Sequence, residues 1–381
     1  MNVALVHDWL NQLGGAEDVL QVLNAIFPRA PIFTSIYDRR RMPSAWRSWD
    51  IRSTWMDRLP GVHRYHQPYM PVFAWVWAHR RIPAAYELIL SNKSAFCIAA
   101  RSLRPDALHV CYCLTPTRFT YEFNAYAKRE RIPRGATAIL RALSRYLCRW
   151  ETGVAQRITA FIAISREVQQ RIRKYYGRDS VIIYPPVAMP PRAQAMQGQQ
   201  DQGFYLIVSR LLPYKRIDLA IEAFGKLKLP LVIAGDGRDR RRLEQLAARH
   251  SGDNIRLLGR VDEATLHRLL TECRAFVFPG IEDFGIAPIR AMAYGKPVIA
   301  YAGGGALDYV IEGVTGTFFD RHVPEALAEA VLRSSGVTFA PAEIRRHAEQ
   351  FSVERFVREI SAFLRGLGVE FEMSDEPVPA S

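Results

Sequence analysis

The 381-residue sequence predicts an α/β fold with two parallel sheets, each covered by helices on both faces. Three observations predict it: strand-like runs rich in Val, Ile and Leu, helical stretches between those runs, and a proline-rich seam near the middle. Apolar runs that are nearly continuous, rather than alternating, are what a parallel sheet buried on both sides requires. Helices between consecutive runs give right-handed βαβ units. The chain is long enough for two domains that each bury a core.

In the first half, NVALV (2–6) is a strand, LGGAE (13–17) a glycine turn and DVLQVLNAIF (18–27) an amphipathic helix. Further strands are ELILSN (87–92), ALHVCYC (107–113) and AFIAIS (160–165). The opening MNVALVHDWL has no basic leader, so it reads as the first strand rather than a signal peptide. PPVAMPPRAQAMQGQQDQG (185–203) carries four prolines followed by polar, glycine-containing sequence, the composition of a linker. The domains are therefore set at 1–185 and 204–350, with 186–203 between them. In the second half the strands are FYLIVS (204–209), PLVIAGDG (230–237), IRLLGRV (255–261), AFVFPG (275–280) and PVIAYAGGG (297–305), with IDLAIEAFGKL (217–227) a helix. Two Rossmann-like domains follow. Residues 351–367 are a helix whose stripe, Phe351, Phe356, Ile360, Phe363 and Leu364, needs a surface to cover it, and the first domain is a candidate. The acidic, proline-bearing 368–381 is expected to be a disordered tail.

The bulk numbers bound the function. No run of about 18 uninterrupted apolar residues is present, so a spanning helix is not expected. The five cysteines are sparse and odd in number, which points to free thiols in a reducing cytoplasm. Cys111 and Cys113, on one face of a strand, read as packing residues rather than metal ligands. Residues 1–185 hold 27 Lys plus Arg against 13 Asp plus Glu, and residues 186–381 hold 24 against 25, so the net charge of +13 sits in the first half. That asymmetry points to an anionic partner, its alternative being a soluble arginine-rich surface. With no helix-turn-helix, zinc or RNP motif, nucleic acid is not the expected partner.

Ligands of open parallel sheets bind beyond the carboxyl ends of the strands, at helix N-termini. Gly14 and Gly15 follow the first strand and precede a helix, where a phosphate can approach the backbone; a plain tight turn looks the same. Arg210 directly follows a strand and Lys215 comes five residues later in SRLLPYKR, a pair suited to a diphosphate or else ordinary surface charge. Gly303, Gly304 and Gly305 repeat the strand–glycine–helix device.

These motifs carry a resemblance. SRLLPYKRIDLAIEAF, IAGDG, NIRLLGRV and PGIEDFGIAPIRAMAYGKPVIAYAGGG, with HDWLNQLGGAE, YCLTPTRFTYE, FIAISREVQQRIRKYYG and VIIYPPV in the first half, resemble the retaining GT-B glycosyltransferases of family 4. Bacterial mannosyltransferases of O-antigen and exopolysaccharide assembly are similar over residues 1 to about 320, in the same order. The resemblance implies two Rossmann-like domains facing across a cleft, no metal and no cofactor, and a nucleotide diphospho-sugar passed to an acceptor held by the N-terminal domain. It implies that Arg210 and Lys215 neutralise the diphosphate, that Gly15 closes over the phosphates, and that Glu282 lies near the donor sugar in the catalytic position. Phe284 and Gly285 would shape the loop behind it, and Gly259 to Val261 would meet the base. Mannose from GDP-mannose is the donor implied by the nearest resemblance.

Two positions depart from the family. Where the paired-glutamate motif has its second acid stands Arg290, and a guanidinium cannot accept the ribose hydroxyls' hydrogen bonds. It is expected to pair with a phosphate, or with Glu282 or Asp283. Where related mannosyltransferases have His stands Leu114, which can neither donate nor accept; His109 could take its place, or be a strand-start histidine. The expectation is a diverged but active hexosyltransferase, with a non-catalytic paralogue supporting a membrane assembly complex as the alternative.

A lipid-linked saccharide acceptor would account for the basic half. HRYHQPYMPVFAWVWAHRRIP (63–83) interleaves aromatics with His and Arg, which suits a bilayer surface or core packing equally. AILRALSRYLCRWE (138–151) spaces Arg141, Arg145 and Arg149 four apart, with Leu140, Leu143 and Leu147 on another face. Such segments sit at anionic bilayers, so the expected place is cytoplasmic and peripheral at the inner membrane.

Overall fold

The computed structural model describes residues 1–123, 134–191, 203–250 and 254–371. The chain forms two compact units, one of Met1–Pro186 with Val353–Ser381 and one of Val187–Ser352. Most of the expected linker, 192–202, lies outside the described residues, as does the tail from residue 372.

The first unit is built on a sheet of seven described strands: Val3–His7 (β1), Ile32–Thr34 (β2), Ile51–Arg52 (β3), Leu88–Lys93 (β4), Leu108–Cys113 (β5), Ala160–Ala163 (β6) and Val181–Ile182 (β7). Their order is β3-β2-β1-β4-β5-β6-β7, parallel throughout. The chain starts in the middle, winds outward one way and then the other, so the switch point lies between β1 and β4. Along β5, Cys111, Tyr112 and Cys113 are all fully buried. Both faces are covered, and the alternation that marks a half-exposed strand is absent. β2, β3 and β7, which the sequence did not reveal, are only two or three residues long, too short for a period to register.

Helix ends follow local chemistry. Helix Arg166–Tyr176 starts where Ser165 Oγ accepts the Val168 N–H at 3.1 Å and stops at Gly177, whose φ of 63° an L side chain would resist. Helix Gly15–Ile26 (α1) has Glu17 and Asp18 in its first turn, favourable for the helix dipole.

The helix Val353–Gly366 (α2) belongs to this first unit. Phe356, Ile360 and Leu364 are fully buried, and the Phe356 ring meets Tyr112 of β5 edge-on at 5.6 Å. Arg355 Nη2 donates to the Tyr184 carbonyl at 2.8 Å. Two sequence expectations change here. Phe351 is not part of this stripe: it lies in the second unit, with its ring 5.9 Å from Phe284. Nor does order end at 367, because Val369 is fully buried and Phe371 packs 4.9 Å from Phe27.

The second unit has six described strands: Tyr205–Val208 (β8), Leu231–Ala234 (β9), Ile255–Gly259 (β10), Ala275–Phe278 (β11), Val298–Tyr301 (β12) and Gly316–Phe319 (β13). Their order, β10-β9-β8-β11-β12-β13, is again parallel and doubly wound. The core gathers Ile207, Ile221, Phe224, Ile233, Val277 and Leu327 between the sheet and helices Ile217–Leu227 and Pro324–Ser335. Its switch point, between β8 and β11, is where Lys215 and Glu282 emerge.

Candidate active site

Loops leave the carboxyl ends of β8, β11 and β12 side by side. After β8 a 3-10 turn, Pro213–Lys215, places Lys215, which is 9% exposed. Arg216, next in the chain, has φ 52°, a left-handed conformation uncommon for a residue with a Cβ. The Lys215 ammonium pairs with the Glu282 carboxylate, which follows β11, and lies 5.2 Å from the Tyr214 ring centroid. An ammonium this far from solvent needs a counter-charge or an anion at hand to offset its lost hydration.

Glycine sets how closely these loops approach. At Gly280 a Cβ would lie 2.9 Å from Lys215 Cα, so the β11 loop can rest on the lysine's backbone only without a side chain. Gly305 donates its N–H to the Glu282 carbonyl at 2.9 Å, and a Cβ there would come within 2.3 Å of Phe284 Cα. The glycine run 303–305 therefore props the Glu282 loop from behind. Phe284 is buried and meets Tyr309 edge-on at 5.8 Å. Sequence reading missed Tyr309. Its buried hydroxyl has no hydrogen-bond partner among the described residues, and a Cβ on Gly285 would lie 2.8 Å from it. Burial, reinforced by Glu282, pushes its pKa well up, so it stays a neutral donor.

Arg210 is exposed just beyond β8. Gly259 closes β10, where its carbonyl accepts the Gly235 N–H at 2.7 Å, and Val261 follows half-buried. Arg290, on the helix Ile286–Ala293, forms an ion pair with Glu263 of the neighbouring helix Glu263–Glu272. Glu263 is a partner that the sequence expectation of a phosphate, Glu282 or Asp283 did not name, and the Glu282 carboxylate pairs with Lys215.

In the first unit, Gly14 caps α1 in an extended conformation and its carbonyl accepts the Glu17 N–H at 2.9 Å. Glu17 turns inward, 3.4 Å from His7. Leu114 sits at the end of β5, its N–H bonded to the Lys93 carbonyl at 2.8 Å. His109 does not reach this end of the strand. It is buried, 3.1 Å from Ser91 Oγ, and burial with Arg157 nearby pushes its pKa down to about 3. It is a core histidine.

Two buried charge clusters also escaped sequence reading. Asp8, after β1, accepts the backbone N–H groups of Ser94, Ala95, Phe96 and Cys97 at 2.6–2.7 Å, which fixes the loop after β4. Lys93 and Glu151 are fully buried 3.0 Å apart, with Thr117 and Tyr176 donating to the same carboxylate oxygen. Burial, the largest single influence, lowers the Lys93 pKa, but Glu151, Cys113 and Cys111 together raise it by more, and the net direction is up. Among the described residues no group of three His, Cys, Asp or Glu side chains is placed to hold a metal, and no helix is long and apolar enough to cross a membrane.

Of the aromatic segment 63–83, Phe73 and Trp77 of the helix Met70–His79 are fully buried, whereas Tyr65 and Trp75 are more than half exposed. On the helix Arg134–Ala155, Leu147 is buried and Arg141, Arg145 and Arg149 are exposed, as are Ile139 and Tyr146.

Residues 193–335 match the family described as glycosyl transferases group 1. An uncharacterized glycosyltransferase of Methanocaldococcus jannaschii, MJ1178, is 26% identical over 189 residues, 49% of this chain and 52% of that protein. The chain thus spans about half the length of that curated relative. The mouse α-1,3/1,6-mannosyltransferase ALG2 is 22% identical over 315 residues, 74% of each chain. Among solved structures, Anabaena HepE in complex with UDP-glucose superposes with a TM-score of 0.69 at 18% identity, covering 96% of this chain and all of that one.

Proposed function

We propose that this chain, whose residues 193–335 match the group 1 glycosyltransferases, transfers a hexose, with retention, from a nucleoside diphosphate sugar to a lipid-linked saccharide. The observation that carries this reading is the buried Lys215 paired with Glu282 at the switch point of the second sheet. An incoming diphosphate competes for the Lys215 ammonium. Glu282, released from that pair, becomes an acceptor for hydroxyls of the donor sugar. As the glycosidic bond breaks, negative charge builds on the departing diphosphate, and a preplaced ammonium and the Arg210 guanidinium stabilise that transition state more than the ground state. No metal enters this scheme; cations of the chain carry the charge.

GDP-mannose is the proposed donor. The mannosyltransferase name of the mouse relative supports the sugar, while the UDP-glucose bound to HepE keeps uridine donors in the test. Attachment to the cytoplasmic face of an anionic bilayer is supported by the exposed Tyr65, Trp75, Ile139 and Tyr146 beside exposed arginines on a first half with a balance of 27 bases to 13 acids. The alternative, a binding protein without turnover, draws on Leu114 and on Arg290, whose guanidinium is engaged with Glu263.

The test is nucleotide binding and sugar transfer measured with GDP-mannose and UDP-sugars on prenyl-linked saccharides. Wild-type protein is expected to bind and to turn over. Lys215→Ala is expected to lose nucleotide binding, and Glu282→Gln to keep it with kcat reduced by roughly 10²-fold or more. Binding without turnover by any donor favours the non-catalytic alternative, and absence of any nucleotide binding removes both.

A further inference from the structure

Beyond the carboxyl end of β2, in the first unit, lies an open surface cavity of about 330 Å³ lined by Tyr37, Trp46 and Trp49 and by the exposed Arg39, Arg40 and Arg47. A second hollow of about 530 Å³ shares Tyr37, Arg39 and Arg40 with it and is lined by Asp38 and Asp57 as well. The acids nearby are committed elsewhere. Asp38 faces Arg41 at 3.4 Å, and Asp50 holds Arg52 at 2.7 Å. Asp57 accepts the Tyr37 N–H at 2.7 Å and lies 3.6 Å from His63. Arg39, Arg40 and Arg47 therefore line the cavity without a carboxylate partner among the described residues. Tyr37 is 8% exposed, and its hydroxyl is buried with no hydrogen-bond partner among the described residues. Arg39 Cζ lies 5.8 Å from the Tyr37 ring centroid.

We propose that this cavity binds a phosphate or diphosphate group carried by the acceptor. Three guanidiniums around one hollow repel one another until an anion sits among them, and their planar donor forks match phosphate oxygens in pairs. The same oxygens would take the hydrogen bond that the Tyr37 hydroxyl cannot place within the protein. Burial raises the Tyr37 pKa while Arg39 and Arg47 act against it, which keeps the phenol protonated and puts both cations within electrostatic reach. Trp46 and Trp49 stack at 4.3 Å with 20° between planes, a rigid apolar wall for whatever the phosphate is attached to. The word acceptor rests on the transferase reading; the anion site does not.

The shared chemistry is a phosphate ester, which a prenyl lipid or a soluble sugar phosphate could supply. Calorimetry on the full chain with inorganic pyrophosphate, geranyl diphosphate and glucose 1-phosphate, with and without saturating GDP or UDP, tests it. Pyrophosphate is expected to bind with nucleotide present, and the Arg39→Gln/Arg47→Gln protein to bind it roughly tenfold more weakly with nucleotide affinity unchanged. Tyr37→Phe is expected to weaken it by about tenfold, the loss of one hydrogen bond to a charged group. Lys215→Ala is expected to do the reverse, losing nucleotide and keeping pyrophosphate, so that failure of the transferase reading shows separately. Tighter binding of geranyl diphosphate than of glucose 1-phosphate supports the site with a lipid source, and the opposite order supports it with a soluble one. Should the double variant not fold, Arg40→Gln alone serves the same comparison. Unchanged pyrophosphate affinity in the arginine variants, or its full displacement by GDP or UDP, overturns the proposal.

Discussion

Arg290 shows how a single position separates local chemistry from inherited pattern. Its side chain is one-quarter exposed and its partner Glu263 is 71% exposed, so their ion pair is mostly solvated and worth at most about 1 kcal/mol. Arg290 also sits in the last turn of its helix, where a cation suits the dipole and an anion does not. Arg290→Glu is thus expected to cost about 1 kcal/mol of unfolding free energy by denaturant titration. Glu263→Lys added to it is expected to restore most of that loss. Nucleotide affinity is expected to stay level or rise; if it vanishes, the guanidinium is a donor contact. Arg210 and Lys215 could be picked out in the sequence because they lie between a strand and the helix after it, where a parallel sheet presents ligands, and Glu282 because its motif resembles that of a known family. Tyr309 could not be. Its hydroxyl is brought behind the Glu282 loop by folding across 26 intervening residues, and nothing near it in the sequence marks a polar role.

At the level of elements, the long buried strands were legible and the short ones were not. β4 and β5, six residues each, contain apolar runs that only a covered parallel sheet requires, whereas β3 has two residues and follows a tryptophan-rich turn without any period of its own. The glycines between elements were legible as turns, but their role in spacing was not, because it depends on what the fold packs against them. Gly280→Ala tests that role. Its Cβ would meet Lys215 Cα and carbonyl oxygen at 2.9 Å, so the lysine's backbone must shift by a few tenths of an ångström. Nucleotide affinity is expected to fall about tenfold while the protein stays folded, since a displaced charged contact forfeits roughly 1.5–3 kcal/mol. At Gly305 the clash is with Phe284 Cα at 2.3 Å, and Gly305→Ala is expected to lower the thermal midpoint of the second unit as well, by calorimetric scan.

Over the whole molecule, charge and connectivity divide at nearly the same place. Residues 1–185 carry a balance of +14, from 27 bases less 13 acids, and residues 186–381 a balance of −1, from 24 less 25. The contacts divide the chain at Pro186 and again at Ser352. Composition located the first division, since proline and polar residues mark a seam. For the second, the sequence reading ended the domain at residue 350 and began a helix at 351 with the first domain as a candidate surface, whereas the contacts divide two residues later, inside FSVERF. There Phe351 joins the rings of the second unit, and Val353 opens α2 of the first.

Because α2 fills the first unit's core only after the second unit has been spelled out, the order of synthesis reverses the order of completion. Residues 187–352 leave the ribosome as a contiguous block and can close while still tethered, but the earlier-made sheet waits, with Tyr112 and its neighbours uncovered, for residues 353–371 to arrive. A nascent chain stalled with residue 352 just outside the exit tunnel should therefore yield, on brief proteolysis, a resistant fragment from the second unit and rapid cleavage of the first. Equal resistance of both would mean that the amino-terminal sheet matures unaided. A chaperone that shields exposed apolar surface would be needed during that interval, and it would find its substrate in the part made first.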